Sequence, residues 1–246
     1  MRMKNIVVIG GNTGVGYEIV KACLEKGYRV AVSCKEPVTS FPIQVNNSIL
    51  VRSFDLQDTN KCIQFIEEVI SLWHRIDGVV FYAGITPISP LTNCPEDLYD
   101  QIFDINLKST FFITQTAIRN MIENEGGSFV FFGTSHMESG QIDRAAYAIS
   151  KGGLKTLSEH LARRYSKFHV RSNMVVMGWT PTEGELELRA SLGVSKEELD
   201  AEASLYVPMG RMLTVNDPVP AAMYFLSDES VMVTGSTIRV TGGEYI

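Results

Sequence analysis

Tyr147 and Lys151 stand four residues apart in the segment "YAISK", which is predicted to be helical. Residues at i and i+4 lie on one face of a helix, so the phenol and the ammonium group are expected to point the same way. A nearby positive charge favours the phenolate and brings the tyrosine pKa from about 10 towards neutral pH. The pair could therefore work as an acid-base catalyst. The plainer interpretation is two polar side chains on a solvated helix, and the rest of the chain has to decide between them.

The composition is that of a globular protein with a sizeable core, since 45% of the 246 residues are hydrophobic. A net charge of -6 argues against nucleic acid or an anionic membrane surface as the main partner. Four scattered cysteines with no C-x-x-C pair and no histidine at ligand spacing predict reduced thiols and no metal site. The apolar run near the N-terminus is too short for a signal peptide, and no segment approaches a membrane span, so a cytoplasmic protein is expected.

The elements that must position the pair alternate between short apolar runs and longer segments of helical period. Seven such runs are predicted to be strands: "NIVVIG", "YRVAVS", "SILVRSF", "DGVVFYAG", "SFVFFG", "VRSNMVV" and "TIRV". Continuous β-branched runs suit strands buried on both faces. The predicted fold is α/β, a Rossmann-type doubly wound seven-stranded parallel sheet with helices on both faces. No linker divides the chain, so residues 1–246 are predicted to form one domain that binds a dinucleotide and carries the catalytic residues.

Residues 180–206 interrupt this rhythm with a strongly acidic segment that is predicted to form one or two short helices. The segment follows the sixth strand, at the carboxyl edge of the sheet, where open α/β sheets bind ligands. It is therefore interpreted as a substrate lid, and the alternative is a solvated helical pair that covers a sheet edge or an oligomer contact.

A glycine loop, "VVIGGNTGVGYEIV", places Gly10, Gly14 and Gly16 between the first strand and the first helix. Glycines let a backbone turn tightly against a pyrophosphate, which the helix N-terminus attracts. The spacing G-x-x-x-G-x-G differs from the G-x-G-x-x-G fingerprint, and it is no P-loop because Gly-Lys-Ser/Thr is missing. The loop with its flanking strand and helix predicts a dinucleotide site.

The end of the second strand usually decides between NAD and NADP, because an acidic residue there binds the ribose 2'-hydroxyl. Cys34 stands at that position and Lys35 follows as a candidate partner for a 2'-phosphate, which favours NADP(H). Glu36 keeps NAD(H) possible. Asp55 is placed to accept a hydrogen bond from the adenine amino group, or else carries a charge at a helix N-terminus.

The glycine loop and Tyr147-x-x-x-Lys151, joined by this βα alternation, resemble the short-chain dehydrogenase/reductase family along almost the whole chain. The resemblance extends to "YAG" at 82–84, Asn106 in "FDINLKSTFF", "RSNMVVMGWTPT", "PMGR" at 208–211 and the closing "VTGSTIRVTGG". It implies that Tyr147 exchanges a proton with the substrate oxygen while hydride passes to or from the nicotinamide. It implies that Lys151 binds the nicotinamide ribose and lowers the Tyr147 pKa.

Further roles follow from the same resemblance. Asn106 would anchor a water in a proton path, and Thr182 would bind the nicotinamide carboxamide. The predicted cofactor-binding residues are Gly10, Asn12, Thr13, Gly14, Val15, Gly16, Cys34, Lys35, Asp55, Leu56, Ala83, Gly84, Lys151, Gly178, Thr180 and Thr182. The predicted catalytic residues are Tyr147, Lys151, Thr134, Ser135 and Asn106.

The chain departs from the family pattern at several positions. Thr134 stands where a serine thirteen residues before the tyrosine usually orients the substrate oxygen, and Ser135 is the alternative. "FYAG" replaces the usual Asn-Asn-Ala-Gly, so a polar brace of the fourth strand is expected to be missing, and Met177-Gly178 replaces Pro-Gly. His136 would contact substrate or remain an ordinary loop residue.

These observations predict a reductase that converts a small-molecule ketone to a secondary alcohol with NADPH, as a homotetramer or homodimer formed through the long helices. The alternatives are an NAD-linked alcohol or dihydrodiol dehydrogenase and a dinucleotide-binding sensor without turnover. A reductase of carrier-bound 3-keto groups ranks lower, because the acidic 180–206 segment has the wrong charge for an acidic carrier.

Overall fold

A parallel sheet of seven strands forms the centre of the computed structural model, which describes residues 3–43, 46–140, 143–181, 186 and 193–244. The strands are β1 (Asn5–Ile9), β2 (Arg29–Cys34), β3 (Ile49–Ser53), β4 (Gly78–Phe81), β5 (Gly127–Thr134), β6 (Val170–Met177) and β7 (Thr237–Val240). Their spatial order is β3-β2-β1-β4-β5-β6-β7, and neighbouring strands pair in parallel. The predicted seven-stranded Rossmann-type sheet is confirmed.

Helices connect the strands. They are α1 (Gly14–Glu25), α2 (Thr59–Trp73), α3 (Glu96–Phe103), α4 (Ser109–Glu123), α5 (His136–Ser139), α6 (Ala145–Tyr165), α7 (Lys196–Tyr206) and α8 (Val219–Leu226). A π-helical turn, Asp104–Lys108, joins α3 to α4, and single 3-10 turns cover Val38–Ser40, Ser166–Phe168 and Asp228–Ser230. Within the described ranges, none of the helices has the length and apolar character needed to cross a membrane.

Both faces of the sheet are covered, because alternate residues of each strand point to opposite sides. In β1, Ile6 and Val8 belong to the cluster formed with α1 and α8, while Val7 and Ile9 belong to the cluster formed with α2, α4 and α6. All four side chains are buried. This double burial explains why the strands are continuous apolar runs rather than alternating ones.

The strand order reverses at β1, which lies between β2 and β4. The connections from β1 and β4 therefore leave the sheet in opposite directions and open a crevice at the carboxyl ends of these strands. The glycine loop follows β1 directly, and β5 ends at Thr134 along the same edge. The glycine loop and Thr134 thus share one edge of the sheet.

The C-terminal part of the predicted 180–206 insertion is helix α7. Ser195 caps it, accepting from the Glu198 amide while the Glu198 carboxylate accepts from the Ser195 amide. Leu199 and Ala203 are buried in a small cluster with Met212 and the partly buried Trp179. Residues 182–185 and 187–192, including Thr182, lie outside the described residues, so the lid remains a prediction.

Candidate active site

The glycine loop is shaped by contacts that leave no space for a side chain. Gly10 has a φ of 82°, and a Cβ there would lie 2.7 Å from the Ala83 Cβ at the end of β4. A Cβ on Gly16 would collide with the carbonyl oxygen of Gly10. The loop therefore packs against β4 while the N-terminus of α1 faces the crevice. A tight loop at a helix N-terminus fits a pyrophosphate, because the first backbone N–H groups of the helix attract its negative charge.

Tyr82 occupies the place where a polar brace was expected to be missing. Its hydroxyl accepts a hydrogen bond from the Val15 amide, and burial raises the pKa of the phenol. A Cβ on Gly14 would lie 3.0 Å from the same hydroxyl, and one on Gly16 2.8 Å from the ring. The tyrosine thus braces the glycine loop from β4. It also engages the amide of Val15, one of the predicted cofactor-binding residues.

The two charged groups after β2, Lys35 and Glu36, each have a polar partner from another segment. Lys35 Nζ lies 3.3 Å from Asp55 Oδ2, and Asn12 Nδ2 donates to Glu36 Oε2 at 2.5 Å. The Gln57 amide and Lys35 together lower the pKa of Asp55. Cys34 is buried, with its Sγ 3.2 Å from the Glu36 carbonyl oxygen, so its side chain serves as packing at the strand end.

Lys151 lies inside the protein on α6, with only 4% of its surface exposed. Its Nζ donates to the carbonyl oxygen of Phe132 at 3.1 Å, and burial lowers its pKa to about 8. A Cβ on Gly84 would lie 3.2 Å from this Nζ. The lysine is therefore close to a proton-exchanging state at neutral pH, and Gly84 keeps the approach to it open.

Asn106 lies in the π-helical turn, a feature that often marks functional sites. Its amide bonds both backbone groups of Ile85, accepting from the N–H at 2.8 Å and donating to the carbonyl at 3.0 Å. It also donates to Ser150 Oγ, which donates to the Tyr147 carbonyl at 2.7 Å. The network joins the segment after β4 to the helix that carries Tyr147 and Lys151.

Thr134 and Tyr147 are joined by a side-chain hydrogen bond, and Lys151 Nζ lies 6.0 Å from the centre of the tyrosine ring. Burial raises the pKa of Tyr147, and the Thr134 hydrogen bond and the charge of Arg144 act in the opposite direction. Among the groups that act on the Tyr147 pKa, the cation is Arg144. The expected lowering by Lys151 stays a prediction.

Ser135, the alternative to Thr134, is buried and has different contacts. Its amide donates to the Met177 carbonyl oxygen at 3.1 Å, and its carbonyl oxygen accepts from Ser139 Oγ at 3.2 Å. His136 follows in α5, where burial and the charge of Arg144 lower the pKa of its imidazole, which is therefore neutral at pH 7. The residue that contacts Tyr147 is Thr134.

Glu138 ties the α5 segment to two other elements. Its carboxylate pairs with Arg239 of β7 at 2.8 Å and with Lys155 of α6 at 3.2 Å. Both cations lower the pKa of Glu138. The ion triad fixes the short helix that follows Thr134 and Ser135.

The segment after β6 forms the far wall of the crevice. Gly178 donates its amide to the Val240 carbonyl oxygen at 3.0 Å, and a Cβ on it would lie 2.7 Å from Glu244 Oε2. The Glu244 carboxylate accepts from the Trp179 amide at 2.8 Å, and burial raises its pKa. Thr180 Oγ1 donates to the Gly178 carbonyl oxygen at 3.3 Å.

Three features of the site were not found from sequence: Arg144, the Ser150 link and the Tyr82 brace. Arg144 stands three residues before Tyr147, next to the same helix face, and that spacing was the available signal. The other two depend on contacts between distant segments, which no local pattern reveals.

Comparisons with known proteins find relatives along almost the whole chain. A family model described as enoyl-(acyl carrier protein) reductase matches residues 9–244. The acetoacetyl-CoA reductase of Acinetobacter sp. (strain RA3849) is 26% identical over 99% of this chain and 98% of its own. The 2-dehydro-3-deoxy-D-gluconate 5-dehydrogenase of Dickeya dadantii is 28% identical over 98% and 94%. A solved short-chain type dehydrogenase/reductase from Mycobacterium ulcerans superposes with a TM-score of 0.87 at 25% identity, covering 98% of this chain and 89% of its own.

Proposed function

Since the chain belongs to the short-chain dehydrogenase/reductase family, an NAD(P)-dependent family acting on CH–OH and C=O groups, we propose that it reduces a small-molecule ketone with NADPH. The product is a secondary alcohol. The observation that carries this proposal is the hydrogen bond between Tyr147 and Thr134, one helical turn from the buried Lys151. Tyr147 is the proton donor, Thr134 supplies the hydroxyl that holds the phenol in place, and Lys151 is the cation beside the tyrosine.

The nicotinamide, when bound, supplies the hydride. Tyr147 donates its phenolic proton to the substrate oxygen, and Thr134 orients both that oxygen and the phenol. Lys151 binds the nicotinamide ribose, and its lowered pKa suits it to return a proton to Tyr147. Asn106 holds the segment after β4 in place and continues the proton path through a water.

The glycine loop binds the pyrophosphate through the N-terminus of α1, with Asn12, Thr13 and Val15 among the contacts. Gly178, Thr180 and Thr182 hold the carboxamide side of the nicotinamide. Asp55 and Leu56 line the adenine site, and Ala83 and Gly84 face the ribose next to Lys151.

NADPH is preferred in this proposal because Lys35 is an exposed cation beside the adenine site. Its present partner is Asp55, and an exposed pair of this kind contributes little stability. A 2'-phosphate, with about two negative charges, would replace that carboxylate readily.

A second candidate is an NAD-linked alcohol or dihydrodiol dehydrogenase. The observation that favours it is Glu36, whose carboxylate is held by Asn12 at the edge of the glycine loop. A carboxylate near the ribose binds its 2'-hydroxyl and repels a 2'-phosphate.

The test is titration of the purified protein with NADPH and with NADH, followed by reduced-nicotinamide fluorescence. Tighter NADPH binding, and turnover of ketones with it, is the expected result. The reverse preference identifies the NAD-linked dehydrogenase. Binding of either cofactor without turnover of any ketone or alcohol would indicate a sensor, and binding of neither would contradict the proposal.

We also propose a homotetramer or homodimer, formed in the cytoplasm through α4 and α6. Between these helices lies an apolar groove of about 590 Å³ that includes Leu107, Phe111 and Leu157, and Phe111 is 47% exposed. Light scattering coupled to gel filtration should show an oligomer that Phe111→Asp dissociates. A monomeric wild-type protein would contradict it.

A further inference from the structure

Arg144 is a cation near Tyr147 that forms no ion pair with any of the described residues. It directly precedes α6, three residues before Tyr147. The Nε of its guanidinium is buried and has no hydrogen-bond partner in the described part of the chain. None of the ion pairs among the described residues includes Arg144. Because buried polar groups nearly always have a partner, a buried guanidinium N–H without one, close to Tyr147, indicates a group that binds there.

The position of Arg144 is fixed by a second segment. The Ser89 amide donates to the Asp143 carbonyl oxygen at 2.6 Å, and the Ala145 amide donates to the Ser89 carbonyl oxygen at 3.1 Å. Ser89 and Arg144 are therefore bridge partners. The Ser89 side chain is fully buried, and its hydroxyl also lacks a hydrogen-bond partner among the described residues. Two residues with unpaired donors thus lie side by side.

The guanidinium is close to the reacting groups. Its charge acts to lower the pKa of Tyr147 and of His136, an effect that weakens with distance. Tyr147 is the proposed proton donor, so a substrate group bound by Arg144 would lie near the carbonyl that Tyr147 protonates.

We propose that Arg144, assisted by the Ser89 hydroxyl, binds an oxyanion of the substrate, either a carboxylate or a sulfonate. This inference rests on the proposed ketone reduction and specifies its substrate class as short anionic ketones. A guanidinium presents several N–H donors in a planar fork that matches such oxygens, and a serine hydroxyl adds one more donor.

The experiment compares acids with their neutral counterparts. The ratio of kcat/KM is measured for acetoacetate against methyl acetoacetate, for 4-oxopentanoate against its methyl ester, and for 2-oxopropanesulfonate against 2-butanone. Wild type should prefer the anions by about tenfold or more, as expected for a charge-assisted contact. The carboxylate and sulfonate pairs show which oxyanion is bound.

Three variants separate recognition from other roles. Arg144→Gln should abolish the preference by slowing the anions much more than the neutral ketones, and Arg144→Lys should restore part of it. Arg119→Gln, which removes an exposed arginine of α4, should leave the ratio unchanged. Equal losses for both members of each pair in Arg144→Gln would overturn the proposal, because Arg144 would then act through Tyr147 alone.

A binding measurement keeps this inference separate from the proposed reaction. Calorimetry with butanoate and with propanesulfonate, which carry no ketone, should show binding to the cofactor-saturated wild type and none to Arg144→Gln. That result supports the oxyanion site even if no ketone is reduced. Reduction of neutral ketones without any binding of these anions would contradict the oxyanion site and leave the reductase intact.

Discussion

The two ends of the candidate site differ in how their cations are neutralised. At the nucleotide end, Lys35 is exposed and pairs with Asp55, while Glu36 is held by Asn12. At the substrate end, Lys151 is buried with the carbonyl of Phe132 as its hydrogen-bond acceptor, and Arg144 has no carboxylate partner among the described residues. The cation at the nucleotide end is paired with a carboxylate of the chain, whereas neither cation at the substrate end is paired with a described carboxylate.

This difference has an energetic consequence. A buried cation without a counter-charge costs stability, because desolvation is not offset. Such strain is tolerated at sites where function requires it. Substitutions at the substrate end are therefore expected to lower activity and raise stability. Substitutions at the nucleotide end are expected to change the preference between NADPH and NADH.

The largest effect is expected for Tyr147→Phe, which removes the proton donor and keeps the ring. Turnover should fall by about 10²- to 10⁴-fold, the usual range for loss of a general acid. Cofactor affinity, measured by fluorescence titration, should remain within about twofold of wild type, since the hydroxyl is assigned to the substrate oxygen. Turnover close to the wild-type rate would refute the mechanism.

Lys151→Met should inactivate the enzyme but stabilise the protein without cofactor. The folded-state pKa of about 8 lies below the ordinary lysine pKa of 10.5, so the native state loses its proton first and wild-type stability rises with pH between these values. Below pH 8 the full cost of the buried charge is present. Removing it should add about 1 to 3 kcal/mol at pH 7, and little near pH 10.5.

Urea denaturation of both proteins across this pH range measures the effect. A variant that is less stable than wild type at pH 7 would show that the lysine is well compensated in the fold, and the contrast between the two ends of the site would disappear.

Lys35→Ala tests the nucleotide end. NADPH affinity should fall by about tenfold, because one exposed charge-assisted contact to the 2'-phosphate is lost. NADH affinity should change by less than about twofold. Lys21→Ala, at a partly exposed pair on α1 with Glu18, is the matched control and should affect neither cofactor. If Lys35→Ala lost affinity for both cofactors equally, another residue would have to bind the 2'-phosphate.

The smallest effect is expected for Glu244→Gln. Burial raises the pKa of Glu244, so the native state holds its proton more tightly and wild-type stability decreases as pH rises through the range between the unfolded and folded pKa values. The variant should lack this decrease, and its stability should exceed that of wild type by less than about 1 kcal/mol at pH 7. Thermal unfolding of both proteins at pH 4 and pH 7 measures the difference. A variant less stable than wild type at pH 7 would mean that the charged carboxylate is needed to hold the Trp179 amide.

Local sequence patterns predict those parts of the protein whose structure is determined within a single segment. The seven strands were predicted because burial on both faces demands continuous apolar runs, as in β1 and β5. The glycine loop was predicted because Gly10 and Gly16 have no space for a side chain. Tyr147 and Lys151 were predicted to lie on the same face of a helix because they are four residues apart.

Contacts between distant segments were not predictable in this way. Because Tyr82 stands where the family has an asparagine, a polar brace was expected to be missing. In the structure, the ring and hydroxyl of Tyr82 support the glycine loop from the end of β4. Arg144 had a local signal in its spacing to Tyr147, but its bridge to Ser89, more than fifty residues earlier in the chain, had none. The choice between Thr134 and Ser135 stayed open because it depends on the direction of one side chain at the end of β5.

The ion triad of Glu138 makes one part of the active site sensitive to the surrounding medium. Dissolved salt screens partly exposed pairs such as Glu138 with Arg239 and Lys155, and the screening length shortens from about 10 Å at 0.1 M to about 3 Å at 1 M. The apolar clusters that hold the sheet respond to salt in the opposite direction or not at all. Amide hydrogen exchange in α5 should therefore quicken as ionic strength increases, while exchange in β1 and β4 stays slow.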